Sequence, residues 1–289
     1  GDGTLDISVT YPTGGVKFVN TYGDGTSAAV YVRGAKRLDS RQGLTPPDIT
    51  GKYTFTLEPQ DGAKLPELGD TAVNDAANSV YFGRLVFTMD DLDGVDAGDD
   101  GSRTKQFVYN VTETGSVNGV TNDAQSTRTF TVTVTDDGNG KLSADISLDE
   151  NSRAFTFINT YDVTPTGETS PTDGSITLTK TLEGRALNEG EFAFTMTDKD
   201  GNVVSTGYND AQGNVVLPGI VFDTPGTYTY TIAETNGGLG GVTYDSRTYT
   251  ATAEVTDNSD GTMSVAWTVT DGENTEVDEA VFENTYAVS

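Results

Sequence analysis

Three copies of one stretch decide the fold: LysPheValAsnThrTyr at 17–22, ThrPheIleAsnThrTyr at 156–161 and ValPheGluAsnThrTyr at 281–286. Side chains alternate across a strand, so each copy sets an asparagine among aromatic residues on one face. The stretch reads as the last strand of a repeated β domain. The segments leading into it, DDGNGKLSADISLDENSRA (136–154) and DNSDGTMSVAWTVTDGENTEVDEA (257–280), open on a similar turn and strand, as does GDGTLDISVTYPTGG (1–15). The chain therefore divides into the C-terminal hairpin of a preceding repeat at 1–22, a domain at 24–161, a short Pro/Gly/Thr linker at 162–171 and a second domain at 172–286.

The length of 289 residues agrees with two domains at roughly 100–200 residues each, enough for each to bury a core. AspGly pairs recur at 61–62, 93–94, 137–138, 173–174, 200–201, 260–261 and 271–272. Such pairs favour tight hairpin turns, and seven or so short strands per repeat predict an all-β fold of two tandem immunoglobulin-like β-sandwich domains. Only 71–78 (TAVNDAAN) suits a helical turn.

Seventeen Lys+Arg stand against 44 Asp+Glu, a formal charge of −27. A field of that sign repels phosphate backbones and anionic membranes, so nucleic acid and lipid are not expected partners. Many of the acids fall in turns, where they read as solvated surface. Cysteine and histidine are both absent. That removes disulfides, thiolate chemistry, most zinc sites and every triad with histidine as base, and no cofactor or metal is expected. The acidic stretch DDLDGVDAGDDGS (90–102) lacks the ligand spacing of a calcium-binding EF-hand loop. No run of 18 apolar residues and no signal-peptide pattern occurs, so no membrane insertion is expected in this segment; a signal or anchor would lie outside it.

The two repeats align internally. GlyLysTyrThrPheThrLeu (51–57) matches GlyGluPheAlaPheThrMet (190–196), and PheValTyrAsnValThrGluThr (107–114) matches TyrThrTyrThrIleAlaGluThr (228–235). Strand alternation then puts three polar residues in phase with apolar faces, twice. In repeat two the faces are Ile176, Leu178, Lys180, Leu182; Tyr228, Tyr230, Ile232, Glu234; and Phe282, Asn284, Tyr286. In repeat one they are Val32, Lys36, Leu38; Phe107, Tyr109, Val111, Glu113; and Phe155, Phe157, Asn159, Tyr161. The other lysine of repeat two, Lys199, lies in an AspLysAspGly turn.

Singly, such residues have ordinary explanations, a lysine snorkelling from a sheet end or an asparagine bonding a loop carbonyl. A buried Lys–Glu ion pair bridged by asparagine, with no bond made, is a further alternative, though desolvation makes it a poor stabiliser. The same three types in the same order also permit amide exchange: the lysine amine attacks the asparagine carboxamide, ammonia leaves, and an isopeptide bond joins the first strand to the last. Attack requires a neutral amine. Burial lowers a lysine pKa and raises a glutamate pKa, so an apolar site favours moving one proton from Lys to Glu. The protonated Glu can polarise the amide carbonyl and then protonate the departing ammonia, while the fixed strands hold amine and amide in contact.

A first-strand lysine followed by LxGR, then GEFxF, YTYTIxE and FxNTY, resembles the pilin isopeptide-linkage domain of Gram-positive backbone pilins and tandem-repeat surface adhesins. Repeat two carries the pattern nearly throughout, at 180–185, 190–194, 228–235 and 282–286; repeat one is looser, with LysArgLeuAspSerArg at 36–41, where the glycine is lost. The resemblance implies isopeptide cross-links Lys36–Asn159 and Lys180–Asn284, promoted by Glu113 and Glu234. It further implies an extracellular, cell-wall-attached structural array without enzymatic turnover, whose partners are neighbouring repeats of the same chain. Asn20 has the strand but no partners in the segment, so it is expected to stay a free carboxamide. LeuProGluLeuGly (65–69) looks like a sorting motif but falls mid-domain and reads as a loop.

The second reading is an adhesin module in which loops such as 90–102 or 236–241 grip a host surface protein or glycan. Trp267, in a TrpThrVal setting, reads as strand packing rather than as a ligand platform.

Overall fold

The computed structural model describes residues 26–148, 155–174 and 176–288. The expected hairpin at 1–22, with Asn20, lies outside the described residues. Among the described residues there are eighteen strands, nine in each repeat. The first nine are β1 (Ser27–Ser40), β2 (Thr54–Pro59), β3 (Thr71–Val73), β4 (Ser79–Thr88), β5 (Arg103–Thr114), β6 (Val120–Thr121), β7 (Thr127–Asp136), β8 (Leu142–Leu148) and β9 (Phe155–Tyr161). The second nine are β10 (Thr177–Glu183), β11 (Ala193–Thr197), β12 (Val203–Tyr208), β13 (Asn214–Val215), β14 (Gly226–Thr235), β15 (Val242–Thr243), β16 (Thr248–Asp257), β17 (Met263–Thr270) and β18 (Glu279–Tyr286).

The sheets repeat in topology. Repeat one forms β4-β1-β9-β6 and β3-β2-β5-β7-β8; repeat two forms β13-β10-β18-β15 and β12-β11-β14-β16-β17. Strand for strand these are the same two orders. In each, the first strand of the repeat lies beside the last. The expectation of seven or so strands falls short because β6, β13 and β15 are two-residue pairings too short to leave a periodic signal.

The fold forms two compact units, one of Thr54–Thr114 and Gln125–Thr156 with the described residues up to Ala35, the other of Lys36–Tyr53, Gly115–Ala124 and Phe157–Ser289. In the first, alternation along β5 and β7 buries Tyr109, Val111, Phe130, Val132 and Val134, and β4 adds Val80, Phe82, Leu85 and Phe87. Tyr109 stacks on Phe130 with centroids 4.9 Å apart. In the second, Leu178, Ala280 and Phe282 of one sheet pack with Phe194, Met196, Ile232, Ala251, Trp267 and Val269 of the other. Each fully buried large apolar side chain contributes roughly 1.5–3 kcal/mol.

The segment 71–78 is not helical: β3 occupies 71–73, and a turn follows in which the Asn78 N–H donates to the Asp75 carbonyl (2.9 Å). The Asp75 carboxylate accepts from the Ala77 and Ser79 N–H groups, so Asn-Asp here closes a turn rather than capping a helix. The sole 3-10 turn among the described residues is Met89–Leu92, which buries Leu92 at the root of the acidic loop. The 65–69 stretch is a loop with Leu65 and Leu68 exposed. The Pro/Gly/Thr connection is no free tether: Thr166 exchanges hydrogen bonds with Phe222, and Thr169 bridges Ile220.

Many turn acids organise the backbone as well as carrying charge. Asp198 accepts from the N–H groups of Asp200 and Asn202, Asp210 from those of Gln212 and Asn214, and Asp271 from those of Glu273 and Thr275. The glycine of the LxGR motif has an equally local cause. Gly184 sits at φ +97, and a Cβ there would lie 2.2 Å from the Tyr286 carbonyl oxygen. In repeat one the corresponding residue is Ser40, within β1.

Replacing Gly184 by Ala should therefore destabilise the second domain by on the order of 1–3 kcal/mol, read as a lowered unfolding midpoint. Side-chain bonds from Asn202 and Asn214 hold the Asp198 and Asp210 carboxyls below their ordinary range. A depressed carboxyl stabilises the fold above its unfolded pKa of about 3.9 and loses that contribution as pH falls through the lower folded value. Thermal unfolding midpoints should thus drop on acidification below about pH 4, and less steeply in Asp210→Ala.

Candidate functional site

The candidate site of repeat two lies within the second unit and starts from strand register. β10 runs parallel to β18 with Lys180 opposite Phe282 and Leu182 opposite Asn284, so the amine and the amide stand two residues apart on one face of neighbouring strands. β14, in the facing sheet, supplies Glu234. The side chains of Lys180 and Glu234 are both 0% exposed, and Asn284 is 1% exposed. Lys180 is the inward lysine; Lys199 is exposed and pairs with Asp200 (2.8 Å).

Glu234 bridges the other two. Its Oε1 lies 3.0 Å from Lys180 Nζ and accepts from Asn284 Nδ2 at 2.8 Å, and its Oε2 accepts from Nζ at 3.1 Å. The Phe192 ring covers the amine, 4.8 Å from Nζ to its centroid. Burial pushes the Lys180 amine below its ordinary pKa, against the opposing pull of Glu234 and Asp245. A desolvated amine, a carboxyl and a primary amide thus share one dry pocket, the composition that amide exchange requires.

The orientation of the amide comes from a residue that strand alternation did not reveal. The Asp245 N–H donates to Asn284 Oδ1 at 2.7 Å, which fixes oxygen on that side and nitrogen towards Glu234. Glu234 was expected at the carbonyl; instead its carboxylate faces the nitrogen, and a backbone N–H holds the oxygen. Asp245 is itself clamped. Its carboxylate accepts from the Glu283 N–H (2.7 Å) and pairs with Arg247 (2.8 Å). Burial pushes that carboxyl up, but the Arg247 guanidinium and the surrounding N–H groups outweigh it and hold it below the ordinary range.

In repeat one, Lys36 and Asn159 belong to the second unit and Glu113 to the first. All three are buried, at 2%, 0% and 6% exposure. Tyr53 covers the Lys36 amine, 4.7 Å from Nζ to the ring centroid, as Phe192 does in repeat two. Asn159 Oδ1 accepts from the Asp123 N–H at 2.8 Å, and Asp123 Oδ2 accepts from the Ile158 N–H at 2.8 Å, repeating the Asp245 arrangement. Asn159 Nδ2 donates to Asn122 Oδ1 (3.1 Å), a position that is Tyr244 in repeat two. A signal for these aspartates was present in the sequence as ValThrAsnAsp (120–123) and ValThrTyrAsp (242–245), both ahead of the AsnThrTyr strand.

Among the described residues no group of three or more acidic side chains is arranged to hold a metal ion. Trp267 is 8% exposed and donates its indole N–H to Thr169 Oγ1 (2.8 Å), so it serves the core as its sequence setting predicts.

No curated protein sequence matches the chain. Among solved structures it is similar to the T-13 major pilin protein of Streptococcus pyogenes, at 16% identity over 90% of this chain and 99% of that one, with a TM-score of 0.27. A second major pilin of Streptococcus pyogenes matches at 15% identity over 92% of this chain and 100% of that one, with a TM-score of 0.24. The family model described as FctA, Spy0128-like isopeptide containing domain, matches residues 32–162 and again 176–287. Two matches that together span most of the sequence, each taking in a buried lysine and the buried asparagine of an AsnThrTyr strand, establish that the chain belongs to the family of Spy0128-like isopeptide-containing domains.

Proposed function

We propose that this chain is a structural segment of a pilus-type surface assembly in which each domain cross-links itself, without turnover, through a Lys–Asn isopeptide bond between its first and last strands. The bonds are Lys180–Asn284 and Lys36–Asn159, with Glu234 and Glu113 as promoters. The observation that carries the reading is the Glu234 carboxylate, shared by the Lys180 amine and the Asn284 amide nitrogen inside a fully buried pocket. Family membership supports an extracellular, cell-wall-attached location and a structural backbone role with neighbouring subunits as partners.

The chemistry balances within the site. The neutral Lys180 amine attacks Asn284 Cγ, forming the Nζ–Cγ bond. Glu234, as the acid, passes its proton to Nδ2, the Cγ–Nδ2 bond breaks, and ammonia leaves. Glu234 then recovers a proton from Nζ and ends as it began. Closing a loop of about 100 residues removes unfolded-chain entropy of order 4–5 kcal/mol, by analogy with disulfides. Mechanically the bond matters more, since tension between the joined strands bypasses the sheets, and no reductant cleaves an amide.

Intact mass under denaturing conditions should fall two ammonia masses below the sequence mass; a mass equal to that of the sequence would overturn the proposal. Glu234→Ala should restore one ammonia mass and leave the other lost. A Glu234→Ala chain still lacking both would remove Glu234 from its role.

A further inference from the structure

The geometry points to the backbone N–H of Asp245 as the oxyanion donor of the cross-linking reaction, with the Asp245 side chain as the positioning group that aims it. The inference rests on the isopeptide reading and deepens it by dividing the work between two residues. When Nζ adds to Cγ, negative charge develops on Asn284 Oδ1. The atom already bonded to that oxygen is the Asp245 N–H, at 2.7 Å. Glu234 touches the amide nitrogen instead, at 2.8 Å, where the departing ammonia needs a proton. One group therefore stabilises the oxyanion while the other serves the leaving group, and neither must move between steps.

The carboxylate has a mechanical task. It is bonded to the N–H of Glu283, the residue just before the reacting asparagine, and to the Arg247 guanidinium. Its own N–H is thereby tied at fixed register to the strand that carries Asn284. The same two bonds recur in repeat one, where the Asp123 N–H reaches Asn159 Oδ1 and the Asp123 carboxylate accepts the Ile158 N–H, both at 2.8 Å. In repeat one the amide nitrogen donates to Asn122 Oδ1, at a position that is Tyr244 in repeat two, whereas the backbone donor to the oxygen is the same in both. Stabilising the developing charge is thus the shared requirement, and it is met by main chain, which no side-chain pattern advertises.

The test follows bond formation in full-length chain made by cell-free translation and quenched in denaturant at intervals, scoring the ammonia loss and the peptide joining Lys180 to Asn284. Replacing residue 245 by the α-hydroxy acid of aspartate deletes the N–H and keeps the side chain; it should slow the Lys180–Asn284 bond about 10²–10³-fold. Asp245→Ala should slow it up to about 10²-fold through misaiming, and Asp245→Asn, which still accepts the Glu283 N–H, should recover part of that loss. Because proton transfer is left to Glu234, the pH profile in the ester variant should keep its midpoint while its ceiling drops. A merely structural role would instead admit water, return the Lys180 amine towards its ordinary value and move the midpoint up; that outcome overturns the inference. Ester and Ala variants that cross-link as fast as the parent also overturn it and leave the isopeptide reading standing. A parent chain that loses no ammonia overturns both.

Discussion

Burying a lysine amine is the constraint on which the second domain turns. With its side chain 0% exposed, Lys180 has lost its water, and a charged ammonium there costs several kcal/mol before any partner is counted. Glu234 offsets part of that cost as a partner, and an aromatic ring closes the remaining side. Such a pair is a weak stabiliser compared with apolar residues of the same volume. Under the proposed cross-link the amine would become a neutral secondary amide, and the buried positive charge would no longer exist. The proposed bond would thus turn a source of instability into one of stability.

The β framework is what brings the amine and the amide together. Parallel neighbours keep one register along their length, so one pairing, Lys180 with Phe282, fixes the distance from the amine to Asn284 two residues on. Glu234 arrives from the facing sheet at the height of the same core layer. Gly184 lets the chain leave β10 against the Tyr286 carbonyl of β18. A larger residue there would push apart the two strands that carry Lys180 and Asn284.

Repeat one shows how much of this arrangement tolerates change. Lys36 keeps its aromatic cover, with Tyr53 for Phe192, and Asn159 keeps the backbone donor to its oxygen. The amide nitrogen meets Asn122, and Ser40 stands at the glycine position of the first-strand motif. The parts that persist are those set by strand alternation and by main-chain geometry.

Strand periodicity alone determined the all-β class, the inward phase of Lys36, Glu113, Asn159, Lys180, Glu234 and Asn284, and the core role of Trp267, because alternation on a sheet needs no knowledge of partners. The AsnThrTyr repeat determined that the pattern occurs more than once. Tertiary structure decided the rest. That Glu234 meets the nitrogen of Asn284 rather than its oxygen depends on the Asp245 N–H, a contact 39 residues distant in sequence and made by backbone atoms that every residue but proline possesses. The turn at 75–78 was settled by carboxylate bonds to nearby N–H groups, which outcompeted a helical propensity that the composition alone suggested. Main-chain donors are present everywhere along a chain; only the fold chooses which of them point at a reacting atom.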